Sequence, residues 1–133
     1  MKYLESFNSI KTDVENILNI ARDEGFFVSL KTDDYNDNFS HCIVIGADAN
    51  MIANPIDPDQ DQEFYEICKN VYSRLQSITD ASAFLVTYRQ CFRRSSGELL
   101  DSEDGYYEHG NLNHFKPNGN YHRIHFGRVS INL

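Results

Sequence analysis

The chain has no tryptophan, three prolines, three cysteines, and twelve lysines and arginines against twenty aspartates and glutamates. Each shortage excludes something. Cys42, Cys68 and Cys91 are odd in number, and their spacing matches no zinc or redox motif. Each lies in an apolar stretch, so they read as buried thiols of a reducing compartment and not as a disulfide framework. No segment approaches ~18 consecutive apolar residues, and the N-terminus has no apolar run of signal-peptide length, so the expected location is cytoplasmic, away from membranes. The formal net charge of −8 disfavours direct binding to nucleic acid or an anionic membrane and favours a protein partner. No G-x-G-x-x-G, P-loop, G-x-S-x-G or H-E-x-x-H motif is present.

What is present is enough for a core. The 133 residues are 41% hydrophobic and 13% aromatic, which fits one domain spanning residues 1–133. From Tyr3 to Glu24, Leu4, Phe7, Ile10, Val14, Ile17, Leu18 and Ala21 recur every three or four positions, the stripe of an amphipathic helix. Gly25 suits the left-handed position that ends it. Phe26–Thr32 then alternates, with Phe26, Val28 and Leu30 on one side and Phe27, Ser29 and Lys31 on the other. His41–Ala49 is a second, nearly continuous apolar strand, expected to form a hairpin with the first. Asp57 followed by Pro58 starts a second helix, running to about Ile78 with Phe64, Ile67, Cys68, Val71 and Leu75 on its stripe. Strands are expected at Ser82–Arg94 and Tyr121–Leu133, the latter with a parity change that predicts a bulge next to Gly127. Residues 95–120 form a long loop, with a small hairpin or short helix expected around Glu98–His109.

The predicted fold is α+β: a two-layer sandwich of order α-β-β-α-β-β, two helices on one face of a four-stranded, mostly antiparallel sheet. A circular permutation of the ferredoxin-like plan and an unrelated two-layer sandwich both fit that order.

Five of the seven arginines fall on the last two strands, namely Arg89, Arg93, Arg94, Arg123 and Arg128. If these strands pair, Arg89, Arg93, Arg123 and His125 gather on one surface, with Tyr88 and Tyr121 as stacking partners. Planar bidentate guanidinium donors there suit a phosphate, a nucleotide or an acidic peptide. Carboxylates of the protein's own loop are competing partners. Catalysis is disfavoured: Cys91 lies between Arg89 and Arg93 but has no base nearby in sequence. His122 and His125, three apart, point to opposite sides of a regular strand. Asp57-x-Asp59-x-Asp61 begins like a calcium loop but has Gln62 and Cys68 where glycine and a carboxylate are required, so it reads as helix capping. No metal or cofactor is expected.

The run Val14-Glu15-Asn16-Ile17-Leu18, followed by Asp23-Glu24-Gly25-Phe26-Phe27-Val28, resembles the helix-to-strand junction of small α+β accessory proteins of tailed phages. The resemblance implies a phage accessory protein, including an inhibitor of host defence. The first functional expectation is therefore a non-enzymatic acidic protein that occludes a host nucleic-acid-binding or defence protein. Asp33, Asp34, Asp37, Asp57, Asp59, Asp61, Glu63, Asp101, Glu103 and Asp104 would imitate a phosphate array. The second expectation is a small-anion or nucleotide binder, acting as a sponge or weak hydrolase through the Arg/His surface. The third is a virion or assembly component.

Overall fold

The computed structural model describes residues 2–34, 36–93, 96, 99–101, 107–118 and 122–133, with the backbone alone for 2–8, 92–93 and 99–101. Its elements in order are α1 (Lys2–Asp23), β1 (Phe27–Thr32), β2 (His41–Gly46), a 3-10 turn (Pro58–Gln60), α2 (Asp61–Ile78), β3 (Leu85–Arg93), β4 (Leu99–Asp101), β5 (Tyr107–Asn111) and β6 (His122–Ile131).

Both helices form where their stripes require. In α1, Val14, Leu18 and Ala21 are fully buried. The helix ends in a paired cap: Phe26 N–H donates to Ala21 O at 3.1 Å and Gly25 N–H to Arg22 O at 3.0 Å. Gly25 takes φ +91°, which only glycine adopts without a steric cost. Asp57 caps the 3-10 turn by accepting from Asp59 N–H at 3.0 Å, with Pro58 leading into α2. Phe64, Ile67, Cys68, Val71, Tyr72 and Leu75 form the buried side of α2.

The sheet is antiparallel throughout, with strand order β1-β2-β6-β3 and with both β4 and β5 paired to β3. The class is α+β as expected, but among the described residues the sheet has six strands where four were expected. The two extra strands lie within residues 95–120. β5 reads Tyr-Glu-His-Gly-Asn, polar and without apolar alternation, so periodicity gave no signal for it. Since β2 and β3 each run antiparallel to β6, they are parallel to one another, and α2 is the crossover between them. This is a split βαβ plan with one strand moved to the end of the chain.

The bulge falls elsewhere than expected. Thr87 pairs with Phe126 and Tyr88 with Ile124, so the extra residue is His125, two positions before Gly127. A bulge leaves two successive side chains on the same side of the sheet. Ile124 and Gly127 therefore face the helices, while His125 and Phe126 both face away. Gly127 has its own reason to be glycine: a Cβ there would sit 2.4 Å from the Phe84 ring.

The core lies between the helices and one face of the sheet. Val28, Ile43, Ile45, Phe84, Val86, Ile124, Val129 and Ile131 belong to one buried cluster with Val14, Leu18, Phe64, Val71 and Leu75 from the helices. The register sets these residues in rows across the sheet, such as Val28–Ile45–Gly127–Val86–Gly110.

Candidate functional site

Strand alternation places the neighbours of these core residues on the opposite face. There the register makes three rows: His109–Thr87–Phe126–Gly46–Phe27, then Asn111–Leu85–Arg128–Val44–Ser29, then Ser130–Cys42–Lys31. Neither helix packs on this side. Two cavities open on it, flanking β6. One, of about 420 Å³, is lined by Ser82, Leu85, Thr87, His109, Phe126 and Arg128 among others. The second, of about 460 Å³, is lined by Phe27, Lys31, Val44, Met51, Ile52 and the same Phe126 and Arg128. Phe126 and Arg128, two apart on β6, thus form a ridge shared by both cavities.

Arg128 is held from below. Its Nη2 donates to Asp33 Oδ1 at 3.0 Å, and the Asp33 side chain is fully buried while that of Arg128 is 30% exposed. Ser130 Oγ donates to the other Asp33 oxygen. Asn36 N–H donates to Oδ1 at 3.1 Å, tying the β1–β2 connection into the same cluster. Cys42 lies alongside. Burial raises its thiol pKa first and Asp33 adds to this, against the lowering effect of Arg128 and Lys31.

Farther along the face, Arg89 stands directly opposite Arg123 on β6 and Tyr107 on β5. The Tyr107 ring meets the His125 ring edge-on at 4.8 Å. His125 Nδ1 donates to Met51 O at 3.1 Å, and Ile56 N–H donates to Ile124 O at 2.8 Å. The segment after β2 therefore runs along the edge of β6 that β2 leaves open.

The sequence-predicted ligand residues divide. Arg89, Arg123 and His125 come together as expected. Tyr88 does not join them, because it is adjacent to Arg89 in a strand and so faces the helix side. There its ring packs 5.0 Å from Phe115 and its hydroxyl donates to Glu108 at 2.8 Å. The side chain of Arg93, and Tyr121 entirely, lie outside the described residues.

The acidic set is also divided. Asp33 is an internal ion-pair partner, not a surface contact. Asp61 is 4% exposed, and neither carboxylate oxygen has a hydrogen-bond partner. Burial pushes its pKa up to about 7, Asp57 adds to the rise and Arg123 opposes it. Asp34, Asp37, Asp57, Asp59 and Glu63 are exposed. Glu103, Asp104 and the Asp101 side chain lie outside the described residues.

The histidines do not converge. His109 is on the face away from the helices, with Nδ1 2.8 Å from Thr87 Oγ1. His122 packs edge-on to Tyr88 at 5.0 Å, on the helix side, and lines a separate cavity with His114. Among the described residues, no group of three His, Cys, Asp or Glu side chains is placed to hold a metal ion. All three cysteines are buried free thiols. Cys91 Sγ lies 3.8 Å from Arg89 O, and burial raises the Cys68 pKa.

Sequence reasoning missed Phe126, Arg128, Lys31 and His109 as site residues. For Phe126 the cause is the bulge, since unbroken alternation from Ile124 puts it in the core. Arg128 carried a usable signal: it alternates with Val129 and Ile131, so it must point away from them. Among the described residues, no helix is long and apolar enough to cross a membrane. Compared with protein-family models, curated proteins and solved structures, the chain matches none of them.

Proposed function

We propose that the protein is a non-catalytic binding protein whose contact surface is the sheet face away from the helices, and that its ligand there is anionic. The observation that carries this reading is the make-up of that face. Lys31, Arg89, Arg123, Arg128 and His109 share it, in a chain whose net charge is −8. Three of the four large apolar residues that stand well out of the described surface are there too: Ile52 at 57%, Leu85 at 40% and Tyr107 at 39% exposed. Cations beside exposed apolar side chains are what a specific anionic ligand needs, with charge for orientation and apolar contact for affinity. Burial of all three thiols and the separation of the histidines support binding over catalysis.

Thermal shift tests this with inorganic phosphate, nucleotides and an acidic peptide, each at low and high salt. Stabilisation by at least one of them is expected, weakening with salt and reduced in the Arg89→Gln/Arg123→Gln/Arg128→Lys variant. No stabilisation by any of these anions removes the reading.

A second reading keeps the acidic surface as the contact. Asp34, Asp37, Asp59 and Glu63 are exposed carboxylates, and a phage-encoded inhibitor of a host nucleic-acid-binding or defence protein would use them. Pull-down from host lysate with wild type and an Asp59→Lys/Glu63→Lys variant tests it. A partner held equally by both excludes that surface.

A further inference from the structure

The ridge between the two cavities has a more specific composition than a basic patch. Phe126 offers a flat ring, Arg128 a planar guanidinium, and both line both cavities. Arg128 does not have to be ordered by a ligand, because Asp33 already holds one edge of it. Preorganised guanidinium donors lose less freedom on binding and recognise phosphate in a fixed geometry. Both cavities mix apolar and polar lining. The one over β1 and β2 sets Val44, Met51 and Ile52 beside Phe126 and carries Ser29, Lys31 and Asn50. The one over β3 and β5 sets Ala83 and Leu85 beside Phe126 and carries Ser82, Thr87 and His109. Each volume falls in the range of about 300–1,000 Å³ typical of small-ligand sites.

We infer that this ridge is a nucleotide site: the base stacks against Phe126, the phosphate lies on Arg128 within reach of Lys31, and the polar groups lining the two cavities take the ribose hydroxyls. The inference rests on the anionic-ligand reading above and narrows it to one class and one place on the face. An aromatic ring beside an arginine is a general platform for stacking a base, tolerant of which base it is. A free nucleotide fits better than a nucleic acid strand. A strand would continue past the ridge over the rim, where Asp34 and Asp37 are exposed on a chain of net charge −8. A compact ligand on the ridge is screened from charges more than about 8 Å away at physiological salt.

Isothermal titration of the full chain with AMP, GMP, CMP and UMP, with ribose 5-phosphate and with adenosine tests the assignment. Wild type should bind AMP more tightly than either fragment. Phe126→Leu should weaken AMP by about tenfold and leave ribose 5-phosphate unchanged. Arg128→Lys keeps the charge and should weaken both by about tenfold. Arg89→Gln and Arg123→Gln should change AMP affinity by less than about threefold, since they lie at the far end of the face. Because Arg128 substitutions disturb Asp33, Lys31→Gln serves as a second probe of the phosphate and should weaken ribose 5-phosphate and AMP alike.

Equal affinity for AMP and ribose 5-phosphate, with Phe126→Leu neutral, overturns the nucleotide assignment but leaves an anion-binding face. Dependence on Arg89 and Arg123 with no effect at Arg128 or Lys31 overturns the placement. An acidic peptide or inorganic phosphate that binds the face where no nucleotide does overturns this inference alone. If none of these binds, both readings fail.

Discussion

The two faces of the sheet are built from the same six strands, yet they are chemically unlike. On the helix side, Ile43, Ile45, Phe84, Val86, Ile124, Val129 and Ile131 are at most 1% exposed and belong to one apolar cluster. On the other side, the intervening residues are Lys31, Thr87, Arg89, Phe126, Arg128 and Ser130, a mixture no core would tolerate unpaired. One face contributes stability through buried area. The other is held by a polar link, Asp33 to Arg128 and Ser130, and is the face proposed to take a ligand. Period-two alternation is what lets one set of strands present two such unlike faces.

The largest effect expected is on the helix face. Phe84→Ala removes a fully buried ring that packs over Gly127 and stacks on Tyr72 at 5.7 Å, and should cost about 3–5 kcal/mol in urea denaturation. A loss under 1 kcal/mol would mean that the covered face does not carry the fold. Next comes the polar link. Asp33→Ala leaves Arg128 and Ser130 without their carboxylate and should cost about 1.5–3 kcal/mol, less than the aromatic truncation because Arg128 is partly solvated.

Asp61 gives a smaller effect with a distinctive pH dependence. Its folded pKa, about 7, lies above its ordinary value of 3.8. Folding therefore favours the protonated form. Its contribution is fully present below about pH 4, declines as the unfolded chain ionises, and is lost once pH passes through 7. Asp61→Asn removes this dependence. The variant should gain on wild type between pH 4 and 7 and then hold a constant advantage of about 1–3 kcal/mol, followed by thermal denaturation across pH. A difference that does not vary with pH would show an ordinary Asp61. The smallest stability effect belongs to the exposed side chains of the face away from the helices: Leu85→Ser and Ile52→Ser should each change stability by no more than about 0.5 kcal/mol. A large loss at either would show that this face is also a structural interior.

Much of this contrast was legible in the sequence. The stripes of both helices, the Gly25 cap, the Asp57–Pro58 start and the in/out pattern of β1 depend on local periodicity and capping, which a chain displays directly. Alternation along β3, with Phe84, Val86 and Tyr88 against Leu85, Thr87 and Arg89, puts Tyr88 on the side of Val86, so grouping it with Arg89 contradicted a pattern visible in the sequence. Other features depend on partners distant in the chain. The His125 bulge is fixed by pairing between β3 and β6 and reverses the side on which Phe126 emerges. The burial of Asp33 depends on Arg128, 95 residues away. β4 is only three residues long and β5 lacks apolar alternation, so the hairpin or short helix expected around Glu98–His109 gave no sign that both segments pair with β3.

The central claim is that one face of the sheet folds the protein and the other binds. Amide chemical-shift mapping during an AMP titration tests it most directly. The account predicts shifts concentrated at Ser29, Lys31, Val44, Leu85, Thr87, Phe126 and Arg128, with the exposed sides of α1 and α2 unaffected. Shifts centred on those helix surfaces or on Asp59 and Glu63, with the sheet residues silent, would contradict it.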